Sequence, residues 1–111
     1  MENETTLPFN NMTSIPPEHD TRFRGKHIVI TGAGGNFGRE GCIFFSARGA
    51  KITALDMNQD ALTETENIAK RINENAQIAS FVCNVTDAAS VQSAIDGAES
   101  EFGTPDMLWS E

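Results

Sequence analysis

The chain has 111 residues and a formal net charge of −8 at pH 7. That length suits one small domain. An acidic surface repels phosphate backbones, which excludes nucleic acid as a partner, and no apolar run approaches the roughly 18 residues of a membrane span. The polar, acidic start Met1-Glu2-Asn3-Glu4 fits neither a secretory nor a mitochondrial leader, so a cytoplasmic location is expected. Cys42 and Cys83 have no ligand partners at metal-binding spacing, and no metal is expected. The composition contains no tyrosine.

Residues 1–24 lack periodicity and hold Pro8, Pro16 and Pro17, which predicts a flexible tail. A domain is expected over 25–111. His27-Ile28-Val29-Ile30 is a β-branched run read as a buried strand ending at Thr31-Gly32. A helix follows, with Phe37, Gly41, Phe44 and Phe45 on one face and Gly49 as its stop. Lys51 to Asp56 reads as a second strand. Asn58 is a suitable cap for a helix to about Glu74, with Leu62, Thr65, Ala69 and Ile72 as its inner stripe. Gln77 to Cys83 is a third strand. Thr86 is placed to cap a third helix that buries Val91, Ala94, Ile95, Ala98 and Phe102. Gly103-Thr104-Pro105 ends it, and Asp106 to Trp109 reads as a fourth strand. Strands alternating with long helices imply an α/β fold, a doubly wound parallel sheet of the Rossmann type, truncated after about four strands.

Chemistry concentrates after the first strand, in Thr31-Gly32-Ala33-Gly34-Gly35-Asn36-Phe37-Gly38. A tight turn, a close backbone approach to a pyrophosphate and close helix–sheet packing each favour residues without Cβ. N–H groups at the helix start then face the phosphates, aided by the helix dipole. Asp56, at the end of the second strand, follows at the spacing of about 20 residues typical of a carboxylate that accepts ribose hydroxyls. It would repel a 2′-phosphate, and the turn holds no basic residue before Arg39, so NAD is expected over NADP. Met57 beside it is a further candidate contact.

These residues resemble the short-chain dehydrogenase/reductase family. Phe23-Arg24-Gly25-Lys26 leading into Ile28-Val29-Ile30-Thr31-Gly32 resembles its entry. Cys83-Asn84-Val85-Thr86-Asp87 resembles its adenine-contacting segment, and Phe102 to Leu108 the approach to its fourth strand. The likeness covers 23–108 and implies strand order 3-2-1-4. It also implies cofactor contacts at Gly32, Gly34, Gly35, Asn36, Phe37, Gly38, Asp56, Met57, Asn84 and Val85. Asn36 stands where the compact branch has its middle glycine, and asparagine tolerates left-handed backbone. The spacing of Gly32, Gly35 and Gly38 also fits the extended branch. Asn84 stands where the family has Asp, its oxygen still able to accept from the adenine amino group and its amide able to donate to a ring nitrogen.

The likeness stops where the family continues Asn-Asn-Ala-Gly and this chain reads Trp109-Ser110-Glu111. The family's catalytic Ser and Tyr-x-x-x-Lys pair would follow. The chain is therefore expected to be the N-terminal piece of an oxidoreductase acting on NAD and a small alcohol or carbonyl substrate. No catalytic residue is assigned within it, and any oligomer would need the complete protein. The alternative is a short protein that binds a nucleotide, or a partner, without catalysis.

Overall fold

The computed structural model describes residues 15–110. A single parallel sheet of β1 (His27–Thr31), β2 (Lys51–Asp56), β3 (Gln77–Val82) and β4 (Met107–Trp109) runs in the order β3-β2-β1-β4, as expected. Three helices connect these strands: α1 (Asn36–Ala47), α2 (Gln59–Ile72) and α3 (Ala88–Phe102).

Alternation along β1 divides the core. Ile28 and Ile30 join Ile52, Ala54, Leu62 and Phe45 on the face covered by α1 and α2. Val29 joins Leu55, Cys83 and Ala94 on the face covered by α3. β1 and β2 are near-continuous apolar runs because they are central and covered on both faces. Burial pushes the Cys42 thiol of α1 up to about 12. His27 begins β1 as a satisfied core residue, its ring nitrogens 2.9 Å from the Gly103 carbonyl and 2.7 Å from Thr53 Oγ1.

Several sequence expectations shift. Ile72, expected on the inner stripe of α2, is exposed at the last position of the helix. The third helix is capped by Asp87, whose side chain accepts from Ala89 N–H, rather than by Thr86. The fourth strand starts at Met107, since Asp106 is spent on β1: its carboxylate accepts from His27 N–H at 2.8 Å. Residues 1–14 of the expected tail lie outside the described residues. Within 15–24 most residues are exposed, but Asp20 is buried and Phe23 packs against the core. Asp20 accepts from Arg22 and from Arg48 Nε at 3.0 Å. Arg48 lies over the Phe44 ring, and Phe23 packs edge-on against Phe44 and Phe45. Hydrogen bonds from Arg22, reinforced by Arg48, hold the Asp20 carboxyl well below the usual carboxylate range.

Candidate functional site

Because all strands are parallel, the segments after β1, β2 and β3 meet at one edge of the sheet. Backbone bonds fix their spacing. Ala33 N–H donates to the Leu55 carbonyl and Cys83 N–H to the Asp56 carbonyl, each at 2.9 Å. Ligands of open α/β sheets sit at this edge.

The turn between β1 and α1 presents donors and withdraws acceptors. Gly32 has φ +65°, a left-handed conformation that favours glycine. Its carbonyl accepts from Gly35 N–H at 2.9 Å. The Ala33 carbonyl accepts from Thr65 Oγ1 at 2.8 Å. The Gly34 carbonyl accepts from Arg39 at 3.3 Å. Each carbonyl of the turn is thus held by the protein. By contrast, the N–H groups of Asn36, Phe37 and Gly38, in the first turn of α1, have no partner among the described residues. That turn carries no acidic residue, so three donors and the positive end of the dipole lie at the sheet edge. A Cβ on Gly38 would lie 2.0 Å from the Gly32 carbonyl oxygen, so glycine there lets α1 close onto β1. The residues present suit a diphosphate.

Asp56 closes the turn from the side. Its Oδ2 accepts from Gly34 N–H and its Oδ1 from Asn58 N–H, both at 2.9 Å. A carboxylate oxygen has two lone pairs, so each keeps capacity for a further donor. Arg39, the first basic residue after the turn, points away into α2. Its guanidinium donates to Thr65 Oγ1 at 2.9 Å and to the Ala61 carbonyl at 3.2 Å, and lies 3.6 Å from Glu64.

Three expectations change in detail. Among the described residues only glycines have positive φ, so Asn36 does not use the left-handed tolerance of asparagine; it is the first residue of α1. Phe37, expected on the apolar face of α1, is 50% exposed in the first turn of the helix. Asn84 Oδ1 accepts from Thr86 N–H at 3.0 Å and Thr86 Oγ1 at 2.7 Å, so the oxygen expected to meet a base is already engaged. Met57 and Val85 are exposed beside Asp56 and Asn84 in sequence.

Thr65 and Arg39 organise the turn and were missed as site residues. The sequence signal for Thr65 is a polar residue on the apolar stripe of α2, buried there and bonded to the Ala33 carbonyl.

The model of the short chain dehydrogenase family matches residues 26–110. This chain belongs to that family. D-threitol dehydrogenase of Mycolicibacterium smegmatis is 35% identical over 92 residues, 82% of this chain and 34% of that protein. The crystal structure of hydroxysteroid dehydrogenase from Escherichia coli superposes with a TM-score of 0.76 at 30% identity, covering 81% of this chain and 37% of that one. The structure of NAD+-bound xylitol dehydrogenase gives 0.73 at 34% identity, covering 78% of this chain and 33% of that one. The chain spans about a third of the length of the curated relatives it matches. Its share of the short chain dehydrogenase fold is thus the sheet edge with the glycine turn, Asp56 and the β3 end.

Proposed function

We propose that these residues grip the adenosine diphosphate half of NAD, and that the full-length protein transfers hydride between NAD and a small alcohol or carbonyl substrate. One observation carries the grip. Every carbonyl of the 32–34 turn is turned back into the protein, while three helix N–H groups at the same edge lack partners among the described residues. The Asn36, Phe37 and Gly38 amides bind phosphate oxygens in this reading, and the Asp56 carboxylate accepts from the adenosine ribose hydroxyls. Bound NAD supplies the hydride acceptor; these residues hold and orient it.

Asp56 favours NAD over NADP, since its charge opposes a 2′-phosphate. Arg39 does not offset it, being committed to Thr65, Ala61 and Gly34. The polyol dehydrogenases among the relatives support an alcohol substrate. Titrating NAD and NADP into the full-length protein tests the cofactor reading, and tighter NADP binding would sink it.

A second reading is nucleotide binding without catalysis; the 111 residues contain no tyrosine. The general acid–base role that the family resemblance gives to tyrosine is not filled within them. Reduction of NAD by the full-length protein with a panel of polyols and secondary alcohols separates the two. Among the described residues no helix is long and apolar enough to cross a membrane.

A further inference from the structure

The edge of the sheet opposite the glycine turn carries a second concave feature. Parallel strands bring the residues before β1, β2 and β3 together there. Gly25 N–H donates to the Gly49 carbonyl at 2.9 Å, and Lys51 N–H to the Lys26 carbonyl at 2.8 Å. A cleft of about 400 Å³ opens on this edge, with Glu18, Arg24, Gly49, Asn73, Asn75 and Gln77 in its wall. Small-molecule sites occupy about 300–1,000 Å³.

Charge is distributed unevenly between the two edges of this acidic chain. Of its eight basic residues, Arg39 alone lies by the glycine turn. The rest flank the starts of β1 and β2 or the ends of α1 and α2. Arg22 and Arg48 are spent on Asp20, and Lys70 pairs with Glu66. Arg24, Lys26, Lys51 and Arg71 have no side-chain partner among the described residues. The dipole of α2 accounts for Arg71 in its last turn, but not for the other three.

The wall of the cleft offers donors and withdraws acceptors. At the end of α1, the Phe45 carbonyl accepts from Arg48 and Ala50 N–H, and the Ser46 carbonyl from Gly49 N–H and Asn73 Nδ2. Arg24 is held by its stem, whose Cγ lies 3.3 Å from where a Cβ on Gly49 would stand. The side-chain amides of Asn75 and Gln77 have no partner among the described residues, and each can donate. A guanidinium fork beside amide donors suits an oxyanion, which arginine binds through two parallel hydrogen bonds. Glu18 is the only acid among the described residues of the wall, and its charge opposes such a ligand.

We propose that this cleft is a second ligand site, which takes a small organic anion through a carboxylate or phosphate group, with Arg24 as the principal contact. It lies at the far edge from the dinucleotide site and stands independently of that reading.

The test is amide-resolved NMR of the full-length protein, titrated at constant ionic strength with citrate in one arm and inorganic phosphate in the other. The resonances of Gly49, Asn75 and Gln77 should shift together and saturate in at least one arm. The arm that saturates at the lower concentration identifies the group bound. Arg24→Gln removes the charge and the fork, and should weaken that binding by about tenfold or more. Glu18→Gln removes the opposing charge and should tighten it by about twofold or more. A thermal melt of each variant checks that it stays folded. The proposal is overturned by any of three results: no saturable shift at these residues in either arm, an Arg24→Gln protein that binds as tightly as the parent, or weaker binding in Glu18→Gln.

Discussion

Replacing Gly38 by alanine separates a turn built for phosphate from one that is merely glycine-rich. The new methyl would sit 2.0 Å from the Gly32 oxygen, 2.5 Å from its carbonyl carbon and 2.8 Å from Ala33 Cα. All three are backbone atoms, so no side chain can swing aside. Carbon–oxygen contacts settle at about 3.3–3.6 Å, which requires α1 and the turn to separate by about 1.3 Å. Overpacking of this kind costs about 1–3 kcal/mol, or about 2–8 °C in melting temperature per kcal/mol, depending on domain size. The same displacement carries the Asn36, Phe37 and Gly38 amides off their bearing. Losing one hydrogen bond to a charged group costs about 1.5–3 kcal/mol, a fall in NAD affinity of about ten- to hundredfold. Gly35→Ser is the control. Gly35 has φ −88°, and its added Cβ would meet only the Gly32 oxygen at 3.4 Å. Serine is also a good N-cap, so this variant should melt no lower than the parent. Scanning calorimetry and NAD titration of both variants of the full-length protein read the outcome. An unchanged melting temperature in Gly38→Ala, or an equal drop in Gly35→Ser, would refute the reasoning.

Asp56→Ala leaves Gly34 N–H and Asn58 N–H without their acceptor and removes the proposed ribose contact; NAD affinity should fall by about tenfold or more, with NADP weakened less, as read by paired titrations. Arg39→Met strips the donor from the Gly34 and Ala61 carbonyls and from Thr65 Oγ1; a stability loss of about 1–3 kcal/mol in urea melts is expected, together with weaker NAD binding. The low pKa of Asp20 means that its ionised form stabilises the fold. That contribution is complete above the unfolded carboxylate value of about 3.9 and is lost as the pH falls below it. Asp20→Asn should therefore melt lower than the parent by a constant margin from pH 7 to about pH 5, with the margin closing in stronger acid. A margin that widens on acidification would contradict the Asp20–Arg22–Arg48 arrangement.

The elements that sequence patterning placed well are those governed by local chemistry. β1 and β2 are apolar and β-branched because both faces are buried, and Asn58 caps α2 through its own side chain, accepting from Ala61 N–H. The misplacements arise where tertiary geometry decides. A helical wheel puts Phe37 and Ile72 on buried faces, yet both lie in terminal turns of their helices and are exposed. Thr86 and Asp87 are both good caps, and Thr86 is instead drawn to Asn84. Asp20 looks like a tail residue until Arg48, on the far side of α1 in sequence, encloses it. At the site, the glycines and Asp56 were legible from spacing. The carbonyl anchors Thr65 and Arg39 were not, because their partners are backbone atoms that leave no mark in a residue pattern.

Amide-resolved NMR of the full-length protein during NAD titration tests the phosphate grip most directly. The resonances of Asn36, Phe37 and Gly38 should shift together, with that of Gly34 following through its bond to Asp56. Saturable binding that leaves these amides unmoved would place the cofactor elsewhere and contradict the assignment of the 32–38 turn.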